Sequence, residues 1–133
     1  MKNYHLLIIA FLFLSQLGYS QIQTKIIGEW EVLAVESTKE TRLNKQEERT
    51  LKLLQKASLE FNSDGSAKFK QILSGFHIPN GYWYYNKEKD AIFITEWDNK
   101  NVDLMRFWYD DLGEDGLKLY MDGTPFVLVV QRK

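Results

Sequence analysis

The sequence predicts an all-β domain, an eight-stranded antiparallel up-and-down barrel with one amphipathic helix between its first and second strands. Three observations lead there. From Ala57 to the C-terminus apolar and polar residues alternate with the period of two that belongs to half-buried strands. The strand-like runs are joined mostly by clusters of Asn, Asp, Gly and Ser short enough for hairpins. Only one connection is long, the one after the first strand, and a meander of this kind closes on itself and leaves no edge exposed. A sandwich would use longer Greek-key crossovers, which the spacing does not offer.

Residues 1–20 are set apart from this pattern. Lys2 supplies a basic start, Leu6 to Leu14 form an apolar run, and Leu17-Gly18-Tyr19-Ser20 ends in small residues suited to cleavage before Gln21. The segment reads as a secretory signal peptide, because the apolar run is shorter than the roughly 20 residues that cross a bilayer. A barrel domain is expected over 21–133, secreted or periplasmic, with no transmembrane segment in the mature chain. The chain has 17 basic and 18 acidic residues, so removing Lys2 leaves 16 against 18, a formal charge of −2. That balance points to neither nucleic acid nor an anionic membrane. The absence of Cys excludes disulfides, thiolate chemistry and a lipoprotein anchor at the cleavage site, so packing must hold the fold.

The elements follow in order. Gln21 to Ile27 is a lead-in, a helical turn whose Ile26 and Ile27 plug the barrel bottom. Gly28 permits a sharp turn where a Cβ would clash, and strand one runs from Glu29 to Glu36 with Trp30, Val32 and Ala34 on one side. Ser37 to Arg42 is polar and irregular. The helix spans Lys45 to Lys56, capped by Asn44 with Glu47 three residues on in a capping-box pattern. Leu51 and Leu54 give it a narrow apolar stripe, so it lies on the barrel rather than in it. Leu59 and Phe61 share a face before the turn Asn62-Ser63-Asp64-Gly65 leads into Ala67, Phe69, Gln71 and Leu73. Ser74 to Asn80 reads as a loop, Gly81 to Tyr85 as a very aromatic strand, and Asn86 to Asp90 as a charged turn. Ala91 to Trp97, Val102 to Tyr109, Leu117 to Met121 and Phe126 to Arg132 complete the eight.

On the last strand Phe126, Leu128, Val130 and Arg132 share one parity, so Arg132 faces inward at a barrel end, where an unpaired guanidinium would be costly. Gly28-x-Trp30 at the first strand, the count of eight strands, the long first connection and the terminal Arg132 together resemble the lipocalin family, most closely the short bacterial lipocalin-like domains of calycin type. The resemblance covers the whole mature chain. It implies that Arg132 covers the ring of Trp30 and that Ser37 to Lys56 forms a lid, with Leu51 and Leu54 resting on the rim of an open mouth. Two features of the family have no counterpart here: the helix after the eighth strand, since the sequence ends at Lys133, and the Thr-Asp-Tyr motif of a second loop. Short bacterial relatives commonly lack both.

The chemistry is sparse. Asp110, Asp111, Glu114 and Asp115 lack the ligand spacing and central Gly of a calcium loop, so a solvated turn and no metal are expected. His77 is the one mature histidine, placed in the Ser74 to Asn80 loop beside Pro79, and a surface position is expected for it. No Gly-x-Ser-x-Gly elbow or phosphate-cradling Gly loop occurs, so neither an enzyme nor a cofactor is expected. The inner wall remains, comprising Phe69, Gln71, Trp83, Tyr85, Ile94, Phe107 and Tyr109. Either these fill the core or they line a cavity for one small hydrophobic ligand, oriented by Gln71, Tyr85 or Tyr109. The alternative is a solid barrel that acts as an envelope interaction module, through an exterior aromatic patch including Leu104 and Trp108 or through the Lys45 to Lys56 helix.

Overall fold

The computed structural model describes residues 21–71 and 78–133. Eight strands and one helix follow one another as β1 (Gly28–Ser37), α1 (Lys45–Leu54), β2 (Ala57–Phe61), β3 (Ser66–Gln71), β4 (Ile78–Asn86), β5 (Ala91–Glu96), β6 (Asp103–Asp111), β7 (Gly116–Met121) and β8 (Phe126–Arg132). Each strand pairs antiparallel with the next, and β8 returns to β1, closing the barrel. Residues 1–20, expected to be a signal peptide, lie outside the described residues, as do His77 and most of the Ser74 to Asn80 loop.

The registers give the barrel two unlike ends. Gly28 opposite Phe61 and Trp30 opposite Arg132 mark the closed end, together with the turns that follow β2, β4 and β6. A short helical segment over 21–25 plugs this end with Ile22 and Ile26, both buried, while Ile27 is only half-buried. Trp30 is 1% exposed, and its indole N–H donates to the Ile26 carbonyl at 2.8 Å. The Arg132 guanidinium stands 4.5 Å from the Trp30 ring centroid and donates to the Ile27 carbonyl at 2.7 Å and to the Lys25 carbonyl. These contacts answer the cost of bringing a guanidinium inward, since charge meets ring quadrupole and carbonyl dipoles instead of bare hydrocarbon. Gly28 has φ +132°, and a Cβ there would stand 2.8 Å from Arg132 Nη1, so both its backbone and the guanidinium above it require glycine.

Three local departures from simple alternation shape the wall. A bulge between Val32 and Ala34 inserts an extra residue in β1, so Ala34 is exposed and Val35 packs on the core in its place. The strand after the undescribed segment begins at Ile78 rather than Gly81, because an irregularity between Ala67 and Phe69 brings buried Ile78 opposite Phe69 and accommodates Pro79. A third shift, between Ile94 and Thr95, leaves Leu104 as an extra residue in β6. The midsection is filled by Leu59, Phe107, Ile94, Leu119 and Leu128, all 1% exposed or less.

Candidate functional site

At the mouth the filling stops short of the rim. Helix α1 lies across this end, entered through a complete capping box in which the Asn44 side chain accepts from Glu47 N–H at 2.8 Å and Glu47 accepts from Asn44 N–H at 2.9 Å. Lys39 donates to Glu47 at 2.6 Å, and these bonds hold the Glu47 carboxyl below its ordinary range, the backbone bond from Asn44 being the largest cause. Leu54 is 2% exposed and Leu51 is half-buried against the core, so the helix is pinned at its C-terminal half.

Beneath it lies a cavity of about 310 Å³, lined by Leu53, Leu54 and Thr50 from the helix and by Phe69, Leu104, Met105 and Met121 from the barrel, with Arg106, Asp122 and Thr124 completing the lining. Its polar groups are largely committed. Thr50 donates to the Gln46 carbonyl at 3.0 Å, while Thr124 donates to the Met121 carbonyl at 3.0 Å and accepts from Phe126 N–H at 3.1 Å. Arg106 Nη1 is 3.5 Å from Asp122 Oδ2, and the guanidinium stacks at 4.6 Å on the outward ring of Phe93. What faces the space is chiefly thioether, leucyl and phenyl surface. Among the described residues, the cavity lining contains no His.

The structure distributes the sequence-derived wall residues over the length of the barrel. Phe69 lines the cavity, and Ile94 and Phe107 lie just below it, fully buried. Gln71 belongs to β3 opposite Ala57, its side chain outside the described set. Trp83, Tyr85 and Tyr109 sit toward the closed end. The Trp83 ring meets Phe61 edge-on at 5.7 Å and its N–H donates to the Asn62 carbonyl at 2.8 Å. Tyr85 and Tyr109 both donate to the Asp90 carboxylate, Tyr109 at 2.7 Å, and Asp90 adopts φ 49° in the turn. Burial first, then these bonds, push the Tyr109 phenol far above its ordinary pKa, so it stays a donor.

Leu53, Met105 and Met121 escaped the sequence reading, and Leu104, expected in an exterior patch with Trp108, instead packs against the core and lines the cavity. The bulge explains one pair: strict alternation sends Leu104 and Met105 to opposite faces, and the extra residue brings both to the mouth. The adjacent apolar pair in β6 was the available signal. The acidic turn after β6 is tied into the fold: Asp110 accepts from Tyr120 at 2.6 Å, Asp111 from Lys25 and from Gly113 N–H at 2.9 Å, and Asp115 lies 3.5 Å from Arg132 Nε. Lys25 also donates to the Gly116 carbonyl at 3.1 Å, locking the N-terminal plug to that turn.

No protein-family model matches the chain, and no curated protein matches its sequence. Among solved structures, the chain is similar to a duf4847 family protein from Bacteroides vulgatus ATCC 8482, with a TM-score of 0.51 and 12% identity over 84% of this chain and 96% of that one. At that identity the likeness is one of fold.

Proposed function

We propose that this is an exported, lipocalin-like protein that holds one small, uncharged apolar molecule in the mouth cavity and performs no chemistry on it. The observation that carries this reading is the space under the helix, about 310 Å³, partly open to solvent and lined mostly by apolar side chains at the end of an otherwise filled barrel. A dry 150 Å³ cavity accommodates benzene, so the volume suits a molecule of about twelve non-hydrogen atoms. Burial of the ligand supplies the affinity, and the two methionines, flexible and polarizable, let the wall adapt to its shape. The Gly28, Trp30 and Arg132 corner supports the lipocalin-like assignment, and the segment 1–20 supports export. N-terminal sequencing of protein recovered from its host tests export directly: the mature chain is expected to begin at or near Gln21, and an intact Met1 on that species would refute cleavage.

The helix is the gate in this reading. Its anchors are Leu54 and, in part, Leu51, whose burial contributes roughly 3 to 6 kcal/mol before ordering costs, little for a segment running from Ser37 to Lys56. Hydrogen exchange on ligand-free protein is therefore expected to show opening of 38–56 well below the global unfolding free energy, with protection rising when an uncharged, environment-sensitive dye enters. Native mass spectrometry of gently purified protein should retain a small apolar passenger. Exchange in 38–56 as slow as in the strands, with no dye uptake, would sink the cavity reading.

A further inference from the structure

The outer face of β4, β5 and β6 is unlike the rest of the barrel exterior. Phe93 and Thr95 point outward from β5 yet are 2% and 1% exposed, because side chains of the flanking strands cover them. Tyr84 stacks on Phe93 at 5.0 Å, with Arg106 on the same ring at 4.6 Å, and Tyr82 stacks on Trp97 at 4.5 Å, with Lys100 over it at 4.3 Å. The outer members of these stacks remain open to solvent: Trp97 is 50% exposed, Tyr84 41% and, one row toward the closed end, Trp108 39%. Large rings gathered on one face in this way mark interaction surfaces.

The charges on the face point one way. Between residues 86 and 111 the sequence holds seven carboxylates and four cations. Lys100 and Arg106 are engaged over rings, Arg106 also with Asp122, and Lys89 stands 5.7 Å from the Phe93 centroid. Of the carboxylates, Asp111 pairs with Lys25, whereas two on this face are held by phenols: Asp103 accepts from Tyr84 at 3.5 Å and Asp110 from Tyr120 at 2.6 Å. Neither has a cation within ion-pair distance among the described residues, and Lys118, opposite Asp110 in the ladder, turns its ammonium to Glu36 at 3.3 Å. A phenol orients a carboxylate without neutralising it. The face thus presents uncompensated negative charge beside exposed ring faces, and both attract cations.

We propose that this face docks a basic protein segment, whose Lys or Arg side chains settle on Trp97, Tyr84 and Trp108 and pair with Asp103 and Asp110. The carboxylates set the encounter rate and salt dependence, and the rings supply the affinity that persists when salt screens the charges. The same field repels anionic bilayers and anionic glycans. This docking surface stands independently of the mouth cavity.

Octalysine is the probe, titrated against the exported chain by calorimetry and tryptophan fluorescence at low and physiological salt, with octaglutamate as its mirror. Octalysine is expected to bind and octaglutamate not. Trp97→Ser with Trp108→Ser, both exposed positions whose folding is checked by circular dichroism, should weaken octalysine at least tenfold with every charge intact. Asp103→Asn with Asp110→Asn should weaken it similarly and flatten the salt dependence. An unchanged Kd in the tryptophan variant would reduce the effect to bulk charge and overturn the proposal, as would failure of octalysine to bind or equal binding of octaglutamate. Tighter binding to vesicles of anionic phospholipid would overturn it too. Sedimentation showing a dimer that the tryptophan variant abolishes would replace the basic segment with a second copy of the chain.

Discussion

Removing Trp30 and Arg132 singly and together measures how the closed end is held. Trp30 is 1% exposed and fills the corner between β1, β2 and β8, so Trp30→Ala should cost about 3 to 5 kcal/mol, as deletion of a large core aromatic does. Arg132→Ala removes a cation 4.5 Å from that ring and the donors to the Ile27 and Lys25 carbonyls. Those carbonyls sit at a half-buried rim where water can replace a donor, which keeps the single loss to about 1.5 to 3 kcal/mol. Only the ring contact is shared, so the coupling energy should be about 0.5 to 2 kcal/mol, the range for a cation over an indole. Urea unfolding of the four proteins supplies the cycle, provided the m-value is constant. A second cycle with Trp30→Phe, which keeps a ring under the guanidinium, covers the case in which the alanine variant fails to fold. Coupling below about 0.3 kcal/mol would mean the two side chains act independently and would refute the corner as a unit.

Three further outcomes are expected. Gly28→Ala should destabilise by more than about 1 kcal/mol, because the residue sits at φ +132° and its Cβ would meet Arg132 Nη1 at 2.8 Å; Gly28→Ala on an Arg132→Ala background should recover the steric part, and urea midpoints showing no recovery would count against that contact. Asn44→Ala should weaken the helix by about 1 kcal/mol and raise the opening equilibrium of 45–54 about fivefold by hydrogen exchange, leaving strand protection unchanged. The Lys25 ammonium and Gly113 N–H hold the Asp111 carboxyl below its ordinary range, so its contribution is complete above the unfolded value of about 3.9 and is lost as pH falls through the lower folded one. Asp111→Asn should therefore lower stability at neutral pH and flatten the acid limb of the stability profile, and an acid limb identical to wild type would contradict the linkage.

Alternation alone determined the strand count and, for most strands, which residues face in. The parity of Phe126, Leu128, Val130 and Arg132 placed a guanidinium inside a barrel end, and the resemblance carried by Gly28-x-Trp30 implied the ring it covers. The helix was equally legible, since Asn44 and Glu47 write its start in a local code. Such features survive in a sequence because they depend on neighbours one to four residues away. The depth to which the barrel is filled does not. Whether Trp83 and Tyr109 line a space or seal an end depends on the stagger of eight ladders and on Asp90 reaching two phenols, the more distant 19 positions away in sequence. Leu104 joins the cavity through one extra residue opposite the Ile94 to Thr95 step, a shift that no period of two can express. The outer face was legible only in part: Trp108 was expected outside, but Phe93 and Thr95, read by parity alone, belong to solvent, and only the packing around them decides that they are buried while Trp97 is not.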